Sequence, residues 1–431
     1  MGCRELRGWE RKSSVLWPKL FGMKRTAALL AFILLAAGTA RAQWTIENSG
    51  TTADLRGIFN VGGGVAWASG TNGTVLRTED GGYLWQSCAI PPNAEHLDFR
   101  GIQAFDANMA IVMSSGKGDL SRLYQTTDGC HTWKLIFTNP VKDGFWDALI
   151  LTPSIHGNAF SGVLIGDTIP DGLPFRYFFL RKRSPVFPIY HTRDGGATWT
   201  RQHDGIFLSQ ASKSGKARES IFAASNSSMV LVPYGLLFVT GGKASALHYM
   251  QYFVDSPLYT GPLPVPLECG GYCVYPGEAS LKLASGKTAG GFSLAANYYI
   301  LSDNPPIGSR VVMAVGGDFK MTDATDGTAV TCRPELQEAF VRYDCDPAQT
   351  PPHGYRSAVA YEPDTKAWIT VGPNGTDIST DDGKNWRALH PDSASHEASD
   401  ADKNWNALSL PFVVGPHGRV GKLNPHALVS H

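Results

Sequence analysis

A short motif that recurs four times constrains the fold of this chain more than any other feature. Its pattern is Ser/Thr-x-Asp-x-Gly-x-Thr-Trp, and its copies occupy residues 78–85, 126–133, 192–199 and 379–386. The second copy has Cys130 in place of the glycine, and the first and fourth have Leu84 and Asn385 in place of the second threonine. Internal repetition of this kind predicts a fold that is built from one repeated unit.

The chemistry of the motif predicts a tight hairpin. The aspartate can accept hydrogen bonds from N–H groups of its own loop, glycine supplies a positive φ, and an Asp-Gly step between strands is a hairpin signal. Calcium binding is the alternative, but each copy offers only one or two carboxylates and no EF-hand-like ligand series. We therefore expect structural roles for the aspartates and tryptophans of the motif, which are Asp80, Asp128, Asp194, Asp381, Trp85, Trp133, Trp199 and Trp386.

A second repeated element begins a strand seven times along the chain. A strand of small residues follows each copy, and the spacing is 44 to 49 residues where the repeat is regular. Four short strands in a unit of that length are typical of a β-propeller blade. The second residues of the seven copies are Arg56, Arg100, Trp146, Glu219, Gly290, Arg356 and Trp405.

The repeats predict an all-β, seven-bladed β-propeller. The fourth blade (about 217–255) and the fifth (about 288–335) lack a clear aspartate motif, and the seventh is too short to supply its own outer strand. Residues 43–46 resemble the strand that follows each motif, so we expect this N-terminal strand to close the last blade. Six blades with a flanking sheet are the alternative. Insertions are expected at 172–190, 256–287 and 391–403.

Residues 1–42 have the features of a secretory signal peptide with an N-terminal extension. Basic residues precede a short apolar run at 26–37, and an Ala-x-Ala pattern precedes Gln43. The start is either Met1 or Met23. We expect an exported protein, periplasmic or extracellular, whose single domain is 43–431. Without residues 1–42 the chain keeps 30 basic against 36 acidic residues, a net charge of −6, and no stretch long enough to span a membrane.

The composition of that exported chain excludes some partners and cofactors. Without a basic excess we predict no nucleic-acid binding, and we expect a monomer. Three disulfides are plausible, pairing Cys88 with Cys130, Cys269 with Cys273 and Cys332 with Cys345, although six cysteines allow about 15 connectivities. The spacing needed for a cysteine-rich zinc site is missing, so neither a metal nor a cofactor is predicted.

These motifs resemble the BNR/Asp-box propeller family, which includes the photosystem II stability/assembly factor and belongs to the sialidase-like superfamily. The similarity is greatest to its exported bacterial members, and segments such as 97–102, 144–147 and 354–359 carry it. The resemblance implies a non-enzymatic scaffold that holds protein partners through an arginine-rich patch. It does not imply a photosynthetic role.

The predicted binding surface is the mouth of the central channel, where the first strands of the blades begin. Arginine forks suit carboxylate or phosphate groups, and tryptophan adds aromatic surface. The binding residues predicted there are Arg56, Arg100, Arg356, Trp146 and Trp405. The alternative is that each arginine only holds a neighbouring loop. The expected ligand is a protein partner or an anionic or glycan ligand.

A sialidase-like glycoside hydrolase is the competing hypothesis, and carbohydrate binding without hydrolysis is a third. The three arginines could imitate a sialidase triad, with catalytic groups drawn from Glu219, Tyr355, Asp98 and Asp147. A paired-carboxylate mechanism requires two such groups within about 5 to 9.5 Å. The Arg-Ile-Pro segment of sialidases is absent, because Arg56 is followed by Gly57 and Ile58. We favour the scaffold.

Overall fold

A computed structural model describes residues 43–153, 160–169, 185–202, 219–232, 235–252, 274–299, 308–337, 340–392 and 396–428. Within these ranges the chain forms seven antiparallel sheets and no α-helix. The innermost strand of every sheet contacts the innermost strands of the sheets on both sides, and the seventh contacts the first. The described residues therefore form the closed seven-bladed β-propeller that the sequence predicted.

The first three blades are regular four-stranded sheets. Strand β1 (Trp44–Glu47) comes first in the chain but belongs to the last blade. Blade 1 contains β2 (Leu55–Gly62), β3 (Val65–Gly70), β4 (Val75–Thr78) and β5 (Gln86–Ser87). Blade 2 contains β6 (Phe99–Ala104), β7 (Ala110–Ser114), β8 (Arg122–Thr126) and β9 (Lys134–Thr138), and blade 3 contains β10 (Trp146–Pro153), β11 (Phe160–Gly166), β12 (Ile189–Thr192) and β13 (Thr200–Arg201).

Blades 4 and 5 are joined through short strands near the axis. Their strands are β14 (Glu219–Ser220), β15 (Met229–Val232), β16 (Gly235–Val239), β17 (Gly241–Gly242), β18 (Ala246–Tyr252), β19 (Val274–Ser280), β20 (Ala289–Tyr299), β21 (Gly308–Asp318), β22 (Ala329–Gln337) and β23 (Phe340–Pro347). Strands β15, β16, β18 and β19 form blade 4, whereas β14 and β17 extend the sheet of blade 5. Gly241 pairs with Gly290, and a Cβ on Gly290 would come within 2.1 Å of the Gly241 Cα, so only glycine allows this approach.

Blade 7 closes the ring with a strand from the opposite end of the chain. Blade 6 contains β24 (Ala358–Glu362), β25 (Ala367–Gly372), β26 (Gly375–Ser379) and β27 (Arg387–Ala388). Blade 7 contains β28 (Ala407–Ser409), β29 (Phe412–Val414) and β30 (Val420–Leu423), and β1 pairs with β30 along its whole length. The predicted closure by the N-terminal strand is thus confirmed, and the arrangement of six blades with a flanking sheet is excluded. The described 3-10 turns are Gly118–Leu120 and Pro425–Leu428.

The hydrophobic core is divided among the boundaries between blades. Seven clusters of buried side chains are present in the described residues, one between each pair of neighbouring blades. The cluster between blades 7 and 1 joins Leu55 and Trp85 to Phe412. Because the ring has no open boundary, every blade buries both of its faces against neighbours.

Two of the predicted disulfides are present. Cys88 and Cys130 link the ends of blades 1 and 2, and Cys332 pairs with Cys345 across β22 and β23. The proposed Cys269–Cys273 bridge, the predicted signal peptide and most of the insertions expected at 172–190 and 256–287 lie outside the described residues. Among the described residues, no helix has the length and apolar character needed to cross a membrane.

Candidate functional site

The four repeated motifs form the same hairpin turn in blades 1, 2, 3 and 6. The Ser/Thr hydroxyl donates a hydrogen bond of 2.8–2.9 Å to the aspartate Oδ1, and it accepts one of 2.9–3.0 Å from the backbone N–H four residues later. The same Oδ1 accepts a backbone N–H of the loop at 2.9–3.0 Å. Hydrogen bonds led by those from Thr132 lower the pKa of Asp128 to about 2. The carboxylates are Asp80, Asp128, Asp194 and Asp381.

The motif tryptophans cover these turns from the core side. Trp85, Trp133 and Trp386 are buried, and Trp199 is partly buried against the cluster between blades 2 and 3. Each turn connects the third strand of its blade to the outermost one, on the face of the ring opposite to the starts of the first strands. The carboxylates therefore lie far along the blade from the predicted mouth.

A β-bulge in each of the first three blades leaves one charged residue of the inner strand unpaired. The strand register shifts between Leu55 and Gly57 in blade 1, and the equivalent shifts in blades 2 and 3 leave one unpaired residue each. A bulge redirects the side chain of its extra residue. The extra residues are Arg56, Arg100 and Asp147.

Arg56 and Arg100 are held by one shared carboxylate. Nε of Arg56 lies 3.1 Å from Oδ1 of Asp98, and Nε of Arg100 lies 2.8 Å from its Oδ2. The two arginine side chains remain 27% and 29% exposed. Within the described ranges, Nη1 of Arg56 and Nη2 of Arg100 have no hydrogen-bond partner. We call Arg56, Asp98 and Arg100 the mouth cluster.

Residues 221–228 lie between β14 and the inner strand of blade 4, and they contact the inner strands of blades 2, 3 and 5. The inner strand of blade 4 was predicted to start at Glu219 but begins at Met229, because β14 pairs in the sheet of blade 5. Nη1 of Arg100 donates to the Ala223 carbonyl at 2.8 Å, and the Asn226 amide forms two hydrogen bonds with the backbone of Leu149 in blade 3. Leu294 of blade 5 donates its N–H to the Ser227 carbonyl at 2.7 Å. This channel segment (residues 221–228) thus holds the Arg100 guanidinium group through the Ala223 carbonyl.

Two neighbouring acids in blade 3 have raised pKa values, the buried Asp147, which interacts with Arg100, and the partly buried Asp167. Burial raises the pKa of Asp147 well above its ordinary value, and the neighbouring Asp167 carboxylate raises it further. Burial also raises the pKa of Asp167 to about 6, although its Oδ1 accepts the Ile221 N–H at 3.0 Å. Oδ2 of Asp147 has no hydrogen-bond partner among the described residues. Asp147 is therefore withdrawn from solvent, unlike the arginines at the equivalent bulge positions of blades 1 and 2.

The structure places the other predicted mouth residues inside the blades. Leu55 directly precedes the bulge residue of blade 1 and is fully buried. In blade 6, Arg356 lies two residues before Ala358, which pairs with Val371 in the way that Gly57 pairs with Ser69. In blades 3, 6 and 7 the residue predicted to match Arg56 therefore lies one position earlier, at the position of Leu55. A shift of one residue moves a side chain to the other face of a strand. The fully buried residues at the position of Leu55 are Trp146, Arg356 and Trp405.

Arg356 is paired in the core and does not join the other two arginines. Its Nε donates to Oδ2 of Asp377 at 2.8 Å, and Nη2 also contacts this carboxylate. Nη1 donates to the Tyr355 carbonyl at 2.9 Å and to Oδ1 of Asn374 at 2.5 Å. His353 binds the second carboxylate oxygen of Asp377, with 2.5 Å between Nδ1 and Oδ1. The three arginines therefore do not form the cluster that a sialidase triad requires.

The candidate catalytic groups are distributed over separate environments. Tyr355 is buried, packs edge-on against Phe292 and has its pKa raised by burial. Glu219 is buried beside His248, with 2.6 Å between its Oε2 and the imidazole Nε2. Asp98 is engaged by the two arginines of the mouth cluster.

His248 and Glu278 are neighbours of Glu219 that no pattern in the sequence indicated. One ligand atom from each of the three residues lies within 4.8 Å of the others. His248 and Glu278 face each other across β18 and β19, but 30 residues separate them in sequence, so only the strand register reveals the pair. Asn226 was also missed; the Ser- and Asn-rich run at 225–228 is the turn signal that could have indicated the channel segment.

Comparisons with known proteins give similarity in solved structures only. No protein-family model and no curated protein matches the chain. A structure of YCF48 bound to D1 peptide has 16% identity and a TM-score of 0.48, and the match covers 89% of this chain and 97% of that one. YCF48 from Cyanidioschyzon merolae has 18% identity and a TM-score of 0.47, covering 89% and 99%. The WD40 propeller domain of Doa1 has 9% identity and a TM-score of 0.46, covering 89% and 98%.

Proposed function

We propose that this protein is an exported, non-enzymatic β-propeller scaffold that binds a protein partner through the mouth cluster. The observation that carries the proposal is the pair of partly exposed guanidinium groups that share the Asp98 carboxylate, with Asp54 also 3.8 Å from Nη2 of Arg56. Nη1 of Arg56 and Nη2 of Arg100 keep N–H groups that have no hydrogen-bond partner among the described residues. The pair suits an acidic side chain or another anionic group of the partner.

The contacts of Arg100 hold its guanidinium group in one orientation, which favours ligand binding. Arg100 is held by Asp98 on one side and by the Ala223 carbonyl on the other. A guanidinium group that is already oriented loses less conformational entropy when a ligand binds. The chain without residues 1–42 carries a net charge of −6, so these two cations would also stand out against an acidic background.

The arrangement of the acidic groups supports a scaffold rather than a glycoside hydrolase. Hydrolysis by paired carboxylates needs two groups about 5 to 9.5 Å apart that both reach the substrate. Asp147 and Glu219 are buried, and Asp98 is engaged by two arginines. We also propose that the four aspartate hairpins are structural and that the chain belongs to the Asp-box propellers, since all four share one hydrogen-bond pattern.

Export is supported by the cysteine chemistry of the described residues. Disulfides form and persist in oxidising compartments and are rare where thiols are kept reduced. The Cys88–Cys130 and Cys332–Cys345 bridges are consistent with export directed by the predicted signal peptide.

Comparative affinity capture tests the scaffold proposal. Extracts of the source organism's envelope would be passed over the wild type, over Arg56→Glu/Arg100→Glu and over the control Lys117→Glu/Lys320→Glu. The control makes the same charge change on exposed lysines outside the mouth cluster. We expect a protein that is retained by the wild type and the control and is lost from the mouth variant. Retention of the same proteins by all three would contradict the proposed surface.

A panel of fluorogenic glycosides tests the competing enzyme hypothesis. The wild type is compared with Glu219→Gln, which removes the charge of one candidate catalytic group. We expect no turnover of any substrate by either protein. Turnover by the wild type that Glu219→Gln abolishes would overturn the non-enzymatic proposal.

A further inference from the structure

A row of side chains crosses blade 4 on the face that packs against blade 3. Phe238 on β16 pairs with His248 on β18, which pairs in turn with Glu278 on β19. Directly opposed residues in antiparallel strands lie on one face of the sheet, with Cβ atoms about 4.5–5.5 Å apart. Strand pairing therefore fixes the imidazole next to the Glu278 carboxylate.

The imidazole of His248 packs against two aromatic rings that also contact each other. The Phe238 ring stacks on it at 4.8 Å with an interplanar angle of 10°, and the Phe187 ring lies 5.4 Å away. Phe187 comes from the blade 3 side of the boundary. With the ring plane fixed, Nε2 of His248 is directed at Glu219, whose Oε2 lies 2.6 Å away.

Glu219 is oriented by a further hydrogen bond. The hydroxyl of Thr240 donates to its Oε2 at 2.8 Å. Hydrogen bonds that orient a ligating side chain are typical of metal sites in proteins. Glu219 and His248 are buried, whereas Glu278 is exposed, so the group has a closed side and a side open to solvent.

We propose that Glu219, His248 and Glu278 form a binding site for a divalent transition-metal ion, with Zn²⁺ as the first candidate. One imidazole nitrogen and two carboxylates give a mixed N/O ligand set that suits Zn²⁺ or Mn²⁺ better than Ca²⁺, which takes oxygen ligands only. Their donor atoms lie within 4.8 Å of one another, so a small movement brings them to one ion. The two carboxylates balance the double positive charge, and the open side leaves a coordination position for water or for a donor from a partner. The site is independent of the mouth cluster.

Metal titration of the purified full chain, without an affinity tag, tests this site. After dialysis against a chelator, Zn²⁺ binding is followed by calorimetry and Co²⁺ binding by its visible absorption, with Ca²⁺ as the comparison ion. We expect one transition-metal ion per chain at this site and weaker binding of Ca²⁺. Glu278→Gln should weaken the binding of Zn²⁺ by about 10- to 100-fold or more, since even loss of an outer-shell partner costs that much.

Glu278→Gln is the decisive variant because Glu278 is exposed and its replacement leaves the buried pair intact. Glu335→Gln, which changes an exposed strand glutamate in blade 5, is the matched control and should bind like the wild type. Equal affinity of the wild type and Glu278→Gln for Zn²⁺ would overturn the proposal, as would a wild type that binds neither Zn²⁺ nor Co²⁺. His248→Gln should abolish the Co²⁺ absorption bands.

Discussion

At the residue scale, burial decides whether each arginine that was predicted to bind a ligand can be reached from solvent. Arg56 and Arg100 occupy bulge positions and keep contact with solvent, whereas Arg356 occupies the buried position before the bulge. An arginine without solvent requires a fully paired environment. Asp377 provides that environment in this chain, so Arg356 has a structural role.

Removal of Asp377 should destabilise the protein strongly. Asp377→Ala leaves Arg356 buried and uncompensated, and breaking such a pair from one side costs about 3–5 kcal/mol of unfolding free energy. Denaturant unfolding measures the effect, with the exposed Asp364→Ala as a control that should stay within about 0.5 kcal/mol. The double variant Arg356→Met/Asp377→Ala should be more stable than Asp377→Ala alone. A loss below about 1 kcal/mol in Asp377→Ala would contradict this role.

The raised pKa of Asp167 predicts a stability effect that depends on pH. Burial favours the protonated form, so the folded pKa of about 6 exceeds the ordinary unfolded value of about 3.9. The unfolded state then binds fewer protons than the folded state between pH 4 and 6, and stability is lost as the pH rises through that window. Asp167→Asn has no carboxyl to ionise and avoids this loss. The unfolding free energy of the variant minus that of the wild type should therefore be about 2–3 kcal/mol larger at pH 7.5 than at pH 4. The amide can still accept the Ile221 N–H.

Urea unfolding of the wild type and Asp167→Asn at both pH values checks that prediction. Asp143→Asn, at an exposed acid outside the channel, serves as the control and should not show the gain at pH 7.5. If Asp167→Asn destabilised the protein equally at both pH values, the Asp167 carboxyl would not have a raised pKa in the folded protein.

At the scale of single elements, β1 connects the two ends of the folded chain. Its residue Trp44 is buried and stacks on Trp405 with ring centroids 5.9 Å apart. Trp44 also belongs to the cluster between blades 6 and 7. The strand therefore contributes a side chain to the core as well as four paired backbone positions.

Truncation of Trp44 should weaken ring closure. Trp44→Ala is expected to lower the unfolding free energy by about 3–5 kcal/mol, the range for large buried aromatic residues. Ile46→Ala on the same strand is the matched control, because Ile46 is 42% exposed, and should change stability by about 0.5 kcal/mol or less. Thermal unfolding compares the variants, and equal loss from both would mean that β1 does not anchor the ring through Trp44.

Much of the fold was predictable because its signals are local. The four hairpin motifs, the repeated strand starts and the similarity of residues 43–46 to an outer strand gave the blade number and the closure. Only in blades 1 and 2 does the residue that the sequence singled out coincide with the bulge residue. Elsewhere the strand starts differ in sequence, and a bulge cannot be placed to the residue without its partner strand. The burial of Arg356 depends on Asp377, 21 residues later, and the Glu219–His248–Glu278 group depends on strand register.

At the scale of the whole molecule, the closed ring has two faces that carry different groups of side chains. The aspartate hairpins stabilise one face through hydrogen bonds within their own loops. The other face carries the mouth cluster, which the channel segment (residues 221–228) supports through Arg100. A rigid ring that presents oriented cations above a partly filled channel is suited to holding a partner, since binding there requires little rearrangement.

The binding of a short acidic peptide to the mouth cluster tests the central claim most directly. A labelled peptide, selected from a random library on the wild type, is titrated by fluorescence anisotropy against the wild type, Arg56→Glu/Arg100→Glu and Lys117→Glu/Lys320→Glu. We predict that the mouth variant loses affinity by about 100-fold or more, given about 1.5 kcal/mol or more for each close charge pair, and that the lysine control changes little. Equal affinity of the peptide for the wild type and the mouth variant, with both proteins folded, would contradict the proposed function.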